Sequence, residues 1–158
     1  MAKYQVIIGR AEELDIVGTS ISVPAKIDTG AYRSSIHATD IKLVIVDGKK
    51  ILKFCILGHK NSPIKRQLQS DHFELVDVRS SNGQVAERYW VKLKVKIANK
   101  IFYTSFTLTD RSSNVYPILI GRNALSGRFI VDVTKAGFNT ENMLKAFGIS
   151  KKDFGEEY

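Results

Sequence analysis

A chain of 158 residues with a formal net charge of +8 is long enough to bury a core of its own as one domain. Its single cysteine, Cys55, excludes an internal disulfide framework. Apolar runs are short and broken by Lys, Asp or Gly, which excludes a transmembrane helix, and MAKYQVIIGR holds no run of signal-peptide length, so a cytoplasmic protein is expected.

The excess of Lys and Arg raises the local concentration of anionic partners. Basic residues are nonetheless dispersed, with only GKK and IKRQ as short clusters, and dispersed charge reads first as a solvated face. Without a dense basic arm, nucleic acid is disfavoured, no membrane partner is expected, and an acidic peptide or protein suits the charge better.

In chain order, YQVII, TSISVPAKI, IKLVIV and KILKFCIL alternate or run apolar over strand lengths. The stretch GHKNSPIKRQLQSDH, residues 58 to 72, breaks the pattern and reads as a long loop inside one domain. FELVDV then precedes VRSSNGQVAERYWV, where Ser81, Asn82 and Gly83 form a hairpin turn signal. In VKLKVKI, Val91, Leu93, Val95 and Ile97 share one face and Lys92, Lys94 and Lys96 the other. The lysine row keeps that face wet and discourages edge pairing, and its functional alternative is a docking surface for an acidic partner. IFYTSFTLT follows after ANK as a hairpin partner, and FIVDV closes the series.

Two segments read as helical. RNALSG gives one or two turns that stop at Gly127. NTENMLKAFG offers Asn139 or Thr140 as N-cap, Met143, Leu144 and Phe147 on one face, and Gly148 as a stop. Residues 1–135 are therefore read as one domain, and residues 136–158 as a C-terminal helix and polar tail packed on it or extending from it.

The chemistry centres on AKIDTGAYRSS. Asp28 stands at the end of an apolar strand, and Thr29 and Gly30 let the backbone turn sharply while the carboxylate stays at the tip. A tripeptide is a weak signal, and an Asp that merely caps a turn is its ordinary meaning. Downstream, however, YPILIGRNAL joins a short buried strand to a Gly and a helical turn.

That pairing of Asp-Thr-Gly with a later apolar-apolar-Gly-Arg-Asn resembles the retropepsin-like aspartic proteases. IGRAEEL, AKIDTGAYRSSIHA, VRSSNGQVAERYWV, TLTDRSSNVYPILIGRNAL and GRFIVDV together resemble a bacterial and archaeal family that carries the label of ATP-dependent zinc proteases. Its members are associated with ATP-grasp ligases that add glutamates to a ribosomal protein. The resemblance implies an all-β, single-domain, closed retropepsin-like barrel with one or two short helices. It implies Asp28, Thr29 and Gly30 as the catalytic turn, with the Thr hydroxyl tying two active-site loops together. It also implies a flap at Ser81, Asn82 and Gly83, and Arg79, Arg88 and Arg111 as substrate contacts. Glu87 flanks the hairpin, and Arg122 reads as a structural pin beside the active-site loop. The chain departs from both families at Tyr32 and Arg33, where the viral enzymes carry acidic residues and the closer family Arg and then Thr.

The zinc and ATP labels find no support in the residues. Zinc needs three or four ligands at workable spacing, yet His-Glu-x-x-His is absent and His37, His59, His72 and Cys55 are scattered. His37 reads as a packing or hydrogen-bonding residue. No phosphate-cradling glycine loop occurs either. Neither a metal nor any other cofactor is expected.

Aspartic proteolysis uses two carboxylates that share a proton, and one Asp-Thr-Gly supplies half of the pair. The expectation is a two-fold homodimer with Asp28 of each copy at the axis. Asp132, at a strand end, is the alternative second acid in a monomer. Two functions follow: an aspartic-type endopeptidase acting on acidic or glutamylated peptide tails, or a non-catalytic basic β module that binds acidic peptide or ribosomal components.

Overall fold

Alternating segments become strands where one face finds a core. The computed structural model describes residues 5–58, 62–80, 82–136 and 147–148. Its elements are β1 (Val6–Ile8), β2 (Ala11–Ile16), β3 (Ile21–Ile27), β4 (Ser34–Val46), β5 (Lys49–Leu57), β6 (Lys65–Ser70), β7 (Phe73–Arg79), β8 (Val85–Ile97), β9 (Lys100–Thr109), β10 (Ile118–Ile120), α1 (Arg122–Leu125) and β11 (Phe129–Val131).

Six strands, in the order β10, β3, β2, β8, β9 and β4, close on themselves because β10 pairs with β4 as well as β3. This is the closed retropepsin-like barrel that the resemblance implies. Closure removes sheet edges from the ring and points one side chain in two inward. Leu14, Val23, Ile36, Val95, Phe106 and Ile118 are all fully buried there, each worth roughly 1.5–3 kcal/mol relative to exposure.

Outside the ring, β5 and β6 continue from β4, and β7 lies antiparallel on the first half of β8. A separate parallel ribbon joins β1 to β11, near the two ends of the described barrel.

Turn chemistry sets the hairpins. Ala98 and Asn99 adopt positive φ of 49° and 66° between β8 and β9, as a two-residue turn that follows the sheet's twist requires. Lys92 and Lys94 stand in solvent on the outer face of β8, and Lys96 is half-buried.

One expectation fails: residues 65–70, read as loop, form the strand β6 against β5, with Leu52 opposite Ser70 and Leu57 opposite Lys65. The hexapeptide KRQLQS has a single apolar residue, half-buried Leu68, so side-chain periodicity carries no strand signal. Backbone pairing with β5 alone makes the strand. Of the predicted C-terminal helix, Phe147 is buried and Gly148 has φ 66°, while residues 137–146 and 149–158 lie outside the described residues.

Candidate active site

β3 carries Asp28 out of the barrel. Its backbone N–H donates to the carbonyl oxygen of Ile120 at 2.9 Å, which extends the parallel β3–β10 pairing past the last strand residue. Asp28 Oδ1 accepts the N–H of Gly30 at 2.9 Å, and the N–H of Ala31 donates to the Asp28 carbonyl at 3.3 Å. The carboxylate is thus oriented by the turn that follows it. Asp28 is half-buried, and Thr29 and Gly30 are exposed.

The β10–α1 connection supports this turn from below. N–H groups of Arg122 and Asn123 donate to the carbonyls of Ala31 and Tyr32 at 2.8 and 2.9 Å. Gly121 makes that approach possible: a Cβ there would lie 2.6 Å from the Arg33 oxygen and 2.8 Å from the Tyr32 oxygen. Ser34 Oγ donates to Asn123 Oδ1 at 2.7 Å and accepts the Gly121 N–H at 3.0 Å. Asn123 Nδ2 in turn donates to the Ser105 carbonyl on β9 at 3.0 Å. Arg122 Nη1 donates to the Thr29 carbonyl at 3.0 Å and its guanidinium lies over the Tyr32 ring, so Arg122 is the pin that its position suggested. Gly121 and Asn123 belong to the Gly-Arg-Asn signature read from the sequence, whereas Ser34 was not singled out, because no local signal marks a serine whose partners are distant in the chain.

The β7–β8 hairpin forms as expected. Ser80 N–H donates to the Gln84 carbonyl at 2.8 Å, Gly83 takes φ 83°, and Ser80 Oγ bonds the Asn82 side chain. Ser81 lies outside the described residues. A groove of about 640 Å³ separates this hairpin from the turn after Asp28, with Arg79 and Arg88 on one wall and Tyr32 and Arg33 on the other. Arg88 Nε donates to Thr109 Oγ1 at 3.4 Å. Asn82, Gly83 and Glu87 do not line the groove, and neither does Asp28.

Arg111 does not join Arg79 and Arg88. It is 8% exposed and lines a different cleft, with Nε donating to the Tyr116 carbonyl at 3.0 Å and Nη1 to Ser35 Oγ at 3.2 Å. Burial lowers its pKa and the Asp28 charge opposes that shift, so the two side chains feel one another. A guanidinium remains a cation in either case.

His37 is buried, and its Nδ1 accepts the Arg111 N–H at 2.9 Å, which places the proton of the neutral ring on Nε2. Burial holds its pKa below the usual value, against the pull of Asp110. Asp132 is engaged by Thr134, through N–H at 3.0 Å and Oγ1 at 2.6 Å, and these bonds hold its pKa low. It anchors the turn after β11. Among the described residues no three His, Cys, Asp or Glu side chains come together in a way that could hold a metal ion. Also among them, no helix is long and apolar enough to cross a membrane.

Comparison with known proteins gives a consistent picture. The profile of the RimB-like family, described as retropepsin-like aspartic endopeptidase RimB, matches residues 7–142. A probable alpha-L-glutamate ligase of Shewanella halifaxensis (strain HAW-EB4) is 29% identical over 138 residues, which cover 86% of this chain and 30% of the relative. Another probable alpha-L-glutamate ligase, of Parasynechococcus marenigrum (strain WH8102), is 29% identical over 131 residues, 81% of this chain and 28% of the relative. The chain thus spans less than a third of the length of these curated relatives. A crystal structure of a protein of unknown function (DUF785) from Legionella pneumophila superposes with a TM-score of 0.71 at 24% identity, covering 85% of this chain and 98% of that one.

Proposed function

Because the chain belongs to the RimB-like family of retropepsin-like aspartic endopeptidases, we propose that it is an aspartic-type endopeptidase that uses Asp28 and acts on acidic, glutamate-rich peptide tails. The observation that carries this reading is the held geometry of Asp28: a carboxylate at a strand end, oriented by the Gly30 N–H on a turn that the β10–α1 connection braces. Such preorganisation is what a catalytic carboxylate needs, since it costs no rearrangement during the reaction.

The chemistry requires a second carboxylate, and a second copy of the chain supplies it in a two-fold homodimer. One Asp28, ionised, takes a proton from the attacking water; the other, protonated, donates to the scissile carbonyl oxygen. Thr29 and Gly30, exposed in one chain, then face their counterparts. The groove supports an acidic substrate, since among the described residues Arg33, Arg79 and Arg88 line it against a single acid, Asp77. That curated relatives are named glutamate ligases, and contain this stretch as under a third of their length, supports glutamate as the side chain concerned.

The test incubates the purified protein with a glutamate-tailed peptide, with and without a chelator, beside Asp28→Asn. Cleavage by the native chain that survives chelation and disappears in Asp28→Asn, with fold and peptide binding retained, is the expected result. Undiminished cleavage by the variant would overturn the reading. Tight binding with no cleavage by the native chain favours the second function, a β module for acidic peptide or ribosomal components. The sequence match to proteins named as ligases supports that alternative too.

A further inference from the structure

β4 leaves the ring partway along its length. It runs beside β9 only over Ser34–His37, its register with β5 shifts between Thr39 and Lys42, and Asp40 takes φ 54° at that bulge. A bulge bends its strand, so residues 41–46 extend past the barrel with β5 on one side. On their other side no strand among the described residues pairs with them. The N–H and C=O groups of every second residue therefore point outward from this edge.

The side chains here do little to protect it. Ile41, Leu43 and Ile45 share one face and are all exposed, Ile45 by 71%. Within residues 41–46 only Lys42 supplies the charge with which natural sheets blunt an edge. Lys53 stands directly opposite it on β5, although like charges in register repel and a lysine on an inner strand does nothing for the edge. Of Lys42, Lys49, Lys50 and Lys53, only Lys49 pairs with a carboxylate among the described residues, that of Asp71 at 2.8 Å. An anionic side chain laid beside Lys42 relieves the repulsion.

We propose that this open edge binds an extended acidic segment of a partner protein by strand addition, with apolar side chains beside Ile41, Leu43 and Ile45 and carboxylates on the face of Lys42 and Lys53. Backbone pairing supplies the affinity, and the alternation selects the segment. A uniform run of glutamates would set charge against the apolar face, so this segment differs in pattern from the tails proposed as substrate. None of these residues lines the groove beside the Asp28 turn, and the inference does not rest on the peptidase reading.

The probe is the peptide Val-Glu-Val-Glu-Val-Glu, bound to Asp28→Asn protein so that binding is read without turnover. Lys42→Glu and Ile45→Lys are introduced singly in that background, both at exposed positions, and Lys92→Glu on the outer face of β8 is the control. Each edge variant is expected to weaken the peptide about tenfold more than the control does. Ile45→Lys adds a cation, so a loss there is not a loss of charge attraction. Residues whose side chains share a face turn their N–H groups to one edge, so methylating the Val nitrogens and methylating the Glu nitrogens block opposite edges of the peptide. One methylated peptide should bind as the parent does, and the other about tenfold more weakly or worse. Equal affinity of the two methylated peptides, or of the three variants for the parent, overturns strand addition, as does a peptide that does not bind at all. An assembly of the native chain that Ile45→Lys dissolves would make a second copy the occupant and overturn it too.

Discussion

Ser34 Oγ donates to Asn123 Oδ1 at 2.7 Å, joining the start of β4, just past the Asp28 turn, to the first turn of α1. Ser34 is fully buried, and the same oxygen also accepts the Gly121 N–H. One hydroxyl therefore satisfies two partners, the buried Gly121 N–H and the half-buried Asn123 side chain. Ser34→Ala leaves both without it, and the cost of such orphaned groups is about 1–3 kcal/mol. Denaturant unfolding should show that loss with an unchanged slope. Stability equal to the native chain's would mean that the link contributes nothing.

Gly121→Ala tests the same junction through space instead of bonding. The added methyl meets the Arg33 and Tyr32 carbonyl oxygens, which are backbone and cannot swing away. Overpacking of this kind costs roughly 1–3 kcal/mol. Because the displaced residues end the turn that begins at Asp28, cleavage of a glutamate-tailed peptide should fall further than stability does. Kinetics beside a thermal melt of the same variant checks that order.

These two links show where sequence reading succeeds and stops. The turn at Asp28, the hairpin around Gly83 and the short helix before Gly127 are local, written in residues that control their own φ or cap their own chain. The all-β class was legible in alternation, because Val23 and Val95 must both find an interior, whereas the closed barrel followed from the resemblance. β6 was not legible, since its pairing with β5 uses backbone groups that every residue has. Nor was the parting of Arg111 from Arg79 and Arg88, because closure of the ring decides which cleft each side chain reaches.

His37 should make stability fall on the acid side. Burial lowers its pKa, so the unfolded chain takes up a proton before the folded chain does. Its contribution is present above the ordinary histidine pKa and is lost as pH falls through the folded value. Protonation of Nδ1 would also set one N–H against that of Arg111. His37→Asn, which keeps an acceptor near that position, should flatten the stability profile between about pH 7 and pH 5. A profile as steep as the native one would place the effect elsewhere.

Glu12 acts with the opposite sign. It is 5% exposed, accepts the Gly9 N–H at 2.8 Å, and burial raises its pKa, against that hydrogen bond. Its contribution is complete below the ordinary carboxyl pKa and is lost as pH rises through the folded value, where a charge must stay buried. Glu12→Gln keeps an acceptor for Gly9 and carries no charge. The variant should match or exceed the native chain at pH 7 and lose that advantage near pH 4. Equilibrium unfolding at the two pH values measures the crossover.

The β1–β11 ribbon offers the clearest test of the proposed dimer. Val6, Ile8, Phe129 and Val131 turn toward the barrel, whereas Ile7 and Ile130 stand side by side in register on the outer face, 57% and 50% exposed. An apolar pair on a ribbon invites cover, and Val133, 70% exposed, extends it. Thr29 and Phe129 line one shallow cleft, so this ribbon borders the turn that a second copy must face. Ile130→Asp places a charge on that surface without touching the barrel core. Sedimentation of the native chain should show a dimer and that of the variant a monomer, with peptidase activity lost in parallel. A native chain that is active while sedimenting as a monomer would remove the shared Asp28 pair and the mechanism built on it.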